Sequence, residues 1–311
     1  MCHGARGPGA VLLRARRSGE TKPMLNRRRF LATTAAVGAT LAAPAVRAQS
    51  RQTIKIGLAP QQATQAETRK VWEPIYKIVA DRMGVGLELT VANDWAGISV
   101  ALASEQIDAT QMGPWGYVLA RAKGEARIAC TMLVNGEPTY RAVIVARPGL
   151  KIEKWPDDAR GLSMQMLDVG STTGWMVPTH WFRQRGLEPK TFFGRYAEGA
   201  SAAAAQVAAA NGQVDLATGW DIHRNTMIRN GTIKADSNTV VWQSDPLPNE
   251  VVAVRRSFSE EMRVALRDAL VGLTDEQKKL LPWPYTGFVP GTHEPYEVLE
   301  KMGRELGVLK A

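Results

Sequence analysis

Short apolar runs alternate with helically spaced apolar positions in the chain after residue 50. Residues 54–58 and 87–91 are short and apolar, which is typical of buried strands. Between them, residues 67–83 repeat apolar side chains at helical spacing, and Gly84 follows as a helix-ending residue. A strand, a helix and a strand in this order predict a right-handed βαβ unit.

The same alternation continues to the end of the chain and predicts two α/β lobes. Further elements of lobe 1 are expected at about 96–105, at 107–110, after Gly113-Pro114, and near Ile128 and Ala142. The elements of lobe 2 are expected after residue 149, at 162–166, after 171–174, at 201–210 and at 214–219. A strand at 251–254 and helices at 259–273 and 294–306 are expected to end the chain.

The chain is expected to cross between the lobes twice. Lobe 1 is predicted at 49–145, lobe 2 at 146–245, and a return to lobe 1 with the carboxyl-terminal helices at 246–311. The crossings are expected near 141–147 and 240–254, and two such segments form a hinge on which lobes can close.

The two lobes also echo each other in sequence. Residues 106–110 read Gln-Ile-Asp-Ala-Thr, and residues 213–217 read Gln-Val-Asp-Leu-Ala. Each follows a predicted helix, and each leads to a glycine where a ligand loop could start, Gly113 or Gly219. This sequence echo is more informative because both copies occupy the same place in a βαβ pattern.

Residues 1–48 have the pattern of a cleavable twin-arginine export signal. Arg27, Arg28 and Arg29 precede an Ala-rich apolar stretch that is too short for a membrane span, and small residues precede the expected cleavage site after Ala48. Removing 48 of 311 residues leaves 263, a suitable size for two lobes. We therefore expect a periplasmic protein.

The leader also carries most of the chain's charge imbalance. The chain has 39 basic and 30 acidic residues, and nine of the basic residues and one acidic residue lie in 1–48. The net charge therefore falls from +9 to +1 without the leader, so the basic composition does not indicate a nucleic-acid partner. Cys2 lies in the leader, which leaves Cys130 without a disulfide partner in the rest of the chain.

A run of hydroxyl residues is the strongest candidate for a binding site. It precedes a predicted helix, where unpaired backbone N–H groups and the positive end of the helix dipole can bind a tetrahedral anion without an arginine. The run consists of Ser171, Thr172, Thr173 and Gly174. The alternative is an ordinary N-cap, which accounts for one hydroxyl residue but not for three followed by glycine.

Aromatic and acidic residues in predicted loops are further candidates. Trp95, Trp115 and Tyr117 could wall a small pocket, although such residues more often pack in a core or between lobes. Asp221 and Glu250 are candidate acceptors for a ligand amine, although loop carboxylates are more often solvated.

An enzyme is not indicated by the chain after residue 48. Its histidines, His180, His223 and His293, lie in no nucleophile motif, and Gly-x-Ser-x-Gly, metal-spaced His/Asp and Walker patterns are absent from the sequence. We predict no catalytic residue, no metal and no cofactor.

Nearly all of the chain after residue 48 resembles the phosphonate-, phosphite- and related substrate-binding proteins of ABC importers. The resemblance depends on the order and spacing of matching pieces, namely Trp-Glu-Pro-Ile at 72–75, Asn-Asp-Trp-Ala-Gly at 93–97, Gly-Pro-Trp-Gly-Tyr-Val-Leu-Ala at 113–120, Tyr-Arg at 140–141, Ser-Thr-Thr-Gly at 171–174 with Val-Pro at 177–178, Gly-Gln-Val-Asp at 212–215 and Pro-Asn-Glu at 248–250.

The resemblance implies a fold, a site and a partner. The fold is a type II periplasmic binding protein, with two α/β lobes joined by a two-segment hinge. The hydroxyl run would grip the phosphonate oxygens, and Tyr117 would face the anion. The implied partners are a small phosphonate-type oxyanion and, transiently, an ABC permease, with the protein itself a monomer.

Departures from the family pattern bear on the ligand. Trp95 replaces a usual tyrosine, and Ser201 stands in a segment where the family has a ligand-binding histidine. Glu250, and Asp221 as a second carboxylate, would suit an aminophosphonate. Phosphite, a sulfonate or another organic anion remain alternative ligands, and a sensor that feeds a membrane kinase is the alternative role.

Overall fold

The computed structural model describes residues 52–62 and 64–310 of the 311-residue chain. The expected export signal lies outside these residues. Within the described residues, no helix is both long enough and apolar enough to cross a membrane.

Lobe 1 begins with alternating strands and helices. These elements are β1 (Thr53–Leu58), α1 (Gln65–Met83), β2 (Gly86–Val91), α2 (Trp95–Ala103), β3 (Ala109–Met112), α3 (Pro114–Gly124) and β4 (Arg127–Val134). The predicted βαβ unit is β1-α1-β2, and its two strands pair in parallel.

Lobe 2 follows a short strand, β5 (Thr139–Tyr140). Its elements are β6 (Ala142–Ala146), a 3₁₀ turn (Asp157–Ala159), β7 (Ser163–Leu167), a π-helical turn (Thr172–Met176), α4 (Val177–Arg183), α5 (Pro189–Phe192), β8 (Arg195–Ala200), α6 (Ala202–Ala210), β9 (Leu216–Trp220), α7 (Asp221–Arg229) and β10 (Thr239–Gln243).

The chain then returns to lobe 1 through β11 (Leu247–Pro248). The remaining elements are β12 (Val251–Val254), α8 (Glu260–Val271), α9 (Asp275–Lys278), β13 (Tyr285–Pro290), a 3₁₀ turn (Glu294–Tyr296) and α10 (Glu297–Glu305).

Each lobe is built on a mixed sheet. The six-stranded sheet of lobe 1 has the order β13-β4-β12-β3-β1-β2, and the five-stranded sheet of lobe 2 has the order β10-β6-β9-β7-β8. In both sheets the βαβ strands are parallel, and a strand that follows a crossing runs antiparallel to them, β12 against β3 and β6 against β9. The predicted two-lobed α/β architecture is confirmed.

The hinge is a pair of short strands. β5 and β11 pair antiparallel, with Tyr140 opposite Leu247, where the chain passes between the sheets in each direction. Residues 142–145 were expected in lobe 1, but the structure places their strand, β6, in lobe 2, because β6 pairs with β9 and β10. The first crossing therefore precedes residue 142, whereas the second lies within the expected 240–254.

Helix α1 illustrates how local sequence and packing agree. Thr64 and Glu67 form a capping box at its first turn, and Gly84 ends it with a φ of 71°. Trp72, Ile75 and Val79 lie on its buried face and are fully inaccessible. Burial of each such side chain contributes on the order of 2 kcal/mol, so this face holds α1 against the sheet.

The sequence echo has a physical basis in the two sheets. Asp108 Oδ1 accepts a hydrogen bond from Arg255 Nε, and Asp215 Oδ1 accepts one from Arg147 Nε, each at 2.8 Å. The other oxygen of each aspartate accepts a backbone N–H from β1 or β7, at 2.8 and 2.9 Å respectively. Asp108 therefore links β1 to Arg255, the residue after β12. Asp215 links β7 to Arg147, the residue after β6.

Candidate functional site

Two helical N-termini from different lobes meet in the cleft between the sheets. Helix α3 of lobe 1 begins at Pro114, and the π-helical turn of lobe 2 begins at Thr172. They are joined directly, because the backbone N–H of Trp115 donates to Thr172 Oγ1 at 2.8 Å. The positive ends of two helical dipoles therefore point toward the same small region.

A pocket lies at this meeting point. Its lining residues are Trp95, Gly113, Tyr140, Ser171, Thr172, Thr173, Trp220 and Glu250. Both lobes and the hinge contribute residues to it. None of these lining residues is basic, so an anion here would depend on hydroxyl and N–H donors.

The hydroxyl run forms one wall of the pocket. Ser171, Thr172 and Thr173 are each at most 3% exposed. Ser171 caps the turn by accepting the N–H of Gly174 at 3.1 Å, and its carbonyl accepts the N–H of Met176 at 3.0 Å, five residues on. Such π-helical turns occur frequently at functional sites.

Gly174 supports this wall from behind. A Cβ at this position would lie 2.2 Å from Leu167 Cγ, so a larger residue would displace the turn from β7. The carbonyl of Gly174 also accepts the hydroxyl of Thr218 at 2.6 Å. Gly174 therefore sets the position of the hydroxyl residues without lining the pocket.

Glu250 is the acidic residue of the pocket, and it is 3% exposed. Its Oε2 accepts hydrogen bonds from Gln61 Nε2 at 2.8 Å, Gln111 Nε2 at 3.3 Å and the hydroxyl of Tyr285 at 3.4 Å. Burial raises the pKa of Glu250 to about 7, although these three hydrogen bonds lower it. Its carboxyl therefore exchanges a proton near neutral pH.

Two tryptophans from different lobes form an aromatic wall. The rings of Trp95 and Trp220 meet edge to face, with centroids 6.0 Å apart. Trp95 is 4% exposed, and its Nε1 has no hydrogen-bond partner among the described residues. This indole N–H is therefore a buried donor that a ligand could use.

Beside the pocket, the loop after β7 packs directly on lobe 1. Asp168 Oδ2 accepts the backbone N–H of Trp95 at 3.2 Å, and Val169 O accepts Trp115 Nε1 at 3.1 Å. Burial raises the pKa of Asp168, although hydrogen bonds from backbone N–H groups lower it. Gly170 approaches so closely that a Cβ there would lie 2.4 Å from Ala96 N.

Comparison with known proteins identifies the family. The family model described as ABC transporter, phosphonate, periplasmic substrate-binding protein matches residues 56–296. The chain belongs to this family. It is a family of binding proteins and not of enzymes, as the sequence predicted.

Individual relatives of this phosphonate-family binding protein are distant. It is 25% identical over 250 residues to the phosphonates-binding periplasmic protein of Escherichia coli, covering 78% of this chain and 73% of the relative. It is 24% identical over 223 residues to a phosphate-import protein of Mycolicibacterium smegmatis, covering 68% of each.

Solved structures confirm the predicted fold, that of a type II periplasmic binding protein. A Prochlorococcus marinus protein in complex with methylphosphonate superposes with a TM-score of 0.74 at 17% identity, covering 83% of this chain and 99% of that one.

The structure brings five of the predicted site residues to the pocket, namely Trp95, Ser171, Thr172, Thr173 and Glu250. Among the described residues, no three His, Cys, Asp or Glu side chains form a group that could hold a metal ion.

Tyr117 lies elsewhere. Its hydroxyl hydrogen-bonds His293 Nδ1 at 3.0 Å, and its ring packs against Tyr296, close to α10. Burial raises the pKa of Tyr117 to about 12. The tyrosine that lines the pocket is Tyr140, in the hinge strand β5, because the crossing carries it between the lobes.

Asp221 and Ser201 are also not among the pocket-lining residues. Asp221 Oδ1 accepts the backbone N–H groups of Arg141 and Ile222 at 3.2 and 2.8 Å, and Asp221 lines an adjoining pocket that also touches Tyr140. Burial raises the pKa of Asp221, against these hydrogen bonds. Ser201 caps α6 by accepting the N–H of Ala204 at 3.3 Å.

Three lining residues, Gly113, Tyr140 and Trp220, were not among the predicted ligand-binding residues. Each had a signal. Gly113 was identified as a loop glycine, Tyr140 stands in one of the matching pieces, and Trp220 directly follows Gly219, where the lobe 2 echo ends.

Proposed function

We propose that this protein captures a small phosphonate-type oxyanion between its lobes in the periplasm and delivers it to an ABC permease. The observation that carries the proposal is the pocket itself, where two helical N-termini from different lobes meet at three buried hydroxyl residues and no basic side chain. The relatives named for phosphonates and phosphate support phosphorus as the central atom.

The donors of the pocket suit a tetrahedral dianion. Backbone N–H groups at the helical N-termini, the three hydroxyls, Tyr140 and the Trp95 indole supply many hydrogen bonds around a small volume. A doubly charged phosphonate interacts more strongly with such a cluster of N–H and hydroxyl donors than a singly charged sulfonate does. Methylphosphonate, phosphite and phosphate all fit this reasoning.

Lobe closure would couple binding to transport. Ligand oxygens would contact donors from both lobes at once, and the two-strand hinge of β5 and β11 provides the segments about which the lobes could rotate. We further propose that residues 1–48 direct export by the twin-arginine route, and that lobe 1 and lobe 2 act as separate units on either side of the hinge.

Calorimetry with a ligand panel tests this function. We expect the purified protein, freed of carried ligand by refolding, to bind methylphosphonate, 2-aminoethylphosphonate, phosphite or phosphate more tightly than taurine. A response to taurine with none to the phosphorus compounds would assign the protein to sulfonate uptake instead.

A double variant tests the site. Replacing Ser171→Ala with Thr172→Ala removes two hydroxyls, each able to contribute about 1.5–3 kcal/mol to a charged ligand, so we expect affinity to fall at least about 100-fold. The matched control is Thr191→Ala with Ser237→Ala, whose exposed hydroxyls bond nearby lobe 2 carbonyls. Normal binding by the first variant would show that the anion binds elsewhere.

A further inference from the structure

Glu250 poses an electrostatic problem for the proposed function, on which this inference rests. A buried carboxyl lines the same pocket that would receive an anion. Two negative charges side by side, removed from water and without a cation, repel strongly. Something must therefore neutralise one of them when the ligand is bound.

Among the described residues, the groups that face Glu250 include no cation. Gln61 precedes α1, Gln111 lies in β3, and the tyrosines come from α1, β5 and β13. Those tyrosines are Tyr76, Tyr140 and Tyr285, and burial raises the pKa of each well above its ordinary value, so all are neutral. The described residues around Glu250 therefore offer hydrogen bonds but no balancing positive charge.

The hydrogen bonds to Glu250 are unevenly divided between its two oxygens. The donors from Gln61, Gln111 and Tyr285 all go to Oε2. Oε1 receives none of them, and Glu250 is part of the pocket lining. Oε1 is therefore the oxygen available to a ligand.

We propose that the bound complex holds one proton between Glu250 Oε1 and a ligand oxygen, so that the site takes phosphorus oxyanions whose last acidic proton exchanges near neutral pH. The proton comes from either partner. A monoprotonated ligand meets the ionised carboxylate, or a dianionic ligand meets the protonated acid, and both routes give the same complex with the same number of protons.

The chemistry of both partners fits this sharing. Burial raises the pKa of Glu250 to about 7. Phosphate esters lose their second proton at about pH 6, and related phosphorus acids do so in the same range. Near neutral pH, one of the two partners therefore carries the proton, whereas in alkaline solution neither does.

The pH dependence of methylphosphonate binding tests the proposal. Between pH 8 and 9.5 the complex must take up one proton, so we expect the affinity of the wild type to fall about tenfold per pH unit. Calorimetry in buffers of different ionisation enthalpy should report uptake of about one proton.

Glu250→Gln provides the complementary variant. The amide needs no proton to face a dianion, so we expect the pH slope to vanish and the affinity at pH 9.5 to exceed that of the wild type. Glu137→Gln, at an exposed position beside the hinge, is the matched control and should keep the wild-type slope.

The outcomes separate the two proposals. Binding of phosphorus oxyanions by the wild type with neither a slope nor proton uptake would refute proton sharing and leave the proposed function standing. Binding of 2-aminoethylphosphonate alone, abolished by Glu250→Gln, would show that Glu250 pairs with the ammonium group. Failure to bind any phosphorus oxyanion would refute the proposed function itself. The wild-type measurements decide the question even if the variant does not fold.

Discussion

Gly170 offers a direct test of whether the observed contact between the lobes belongs to the ligand-bound state. It lies in the loop after β7 of lobe 2 and packs against the start of α2 in lobe 1. A Cβ at Gly170 would lie 2.4 Å from Ala96 N and 2.6 Å from Trp95 C. The backbone of Gly170 does not have a positive φ, so alanine itself causes no strain in the loop.

The size of the effect follows from this geometry. Normal contact requires a separation of about 3.4 Å, so Gly170→Ala must push the backbones apart by about 1 Å. Overpacking of this kind costs about 1–3 kcal/mol, which corresponds to about 5- to 150-fold in an equilibrium constant. The cost arises only when the lobes are together, so it should weaken ligand binding and leave the stability of each lobe unchanged.

Calorimetry with the preferred ligand and thermal unfolding without ligand measure these two quantities. Gly86→Ala is the control, because its Cβ would lie 2.9 Å from Thr53 Oγ1, a contact within lobe 1. We expect that variant to lose stability and retain affinity. If Gly170→Ala binds as tightly as the wild type, the loop contact does not form in the complex and the reasoning fails.

Three further predictions concern single side chains. Tyr117→Phe should change ligand affinity less than about twofold and lower stability by about 1 kcal/mol, because its hydroxyl bonds His293; a large loss of affinity in calorimetry would return Tyr117 to the site. Burial raises the pKa of Glu250 from 4.5 to about 7, so about 3 kcal/mol of folding stability that is present at low pH is lost as the pH rises from 4.5 to 7. Burial lowers the pKa of His223 from 6.5 to about 4, so about 3 kcal/mol of folding stability that is present above pH 6.5 is lost as the pH falls toward 4. The pH dependences of stability due to Glu250 and His223 offset each other in the wild type. In Glu250→Gln only the His223 contribution remains, so the free energy of unfolding measured with denaturant should rise from pH 4.5 to 6.5. A flat profile would contradict these pKa shifts. Asp215→Ala removes the acceptor for Arg147 Nε and two Ser163 donors, and should lower the melting temperature through a loss of about 2 kcal/mol, whereas an unchanged melting temperature would show that the echo has no structural role.

Local chemistry in the sequence determined the elements and one wall of the site. The helical period of α1, its capping box at Thr64 and Glu67, and the glycine that ends it all lie within about 20 residues. The hydroxyl run likewise combines capping residues with the start of a helix, so the sequence alone indicated Ser171 and its neighbours as a candidate anion site. Such signals are readable because the interacting groups are close in the chain.

Tertiary structure alone decided which distant residues complete the site. The sequence shows Tyr117 and Tyr140 only as two tyrosines, and the assembled structure places Tyr140 in the pocket through β5 and Tyr117 beside His293. Glu250 was identifiable as a candidate carboxylate, but its raised pKa depends on burial by segments up to 189 residues away, including Gln61. Desolvation sums over every neighbour in space, so its effect on this carboxyl emerges only when the lobes and the hinge are assembled.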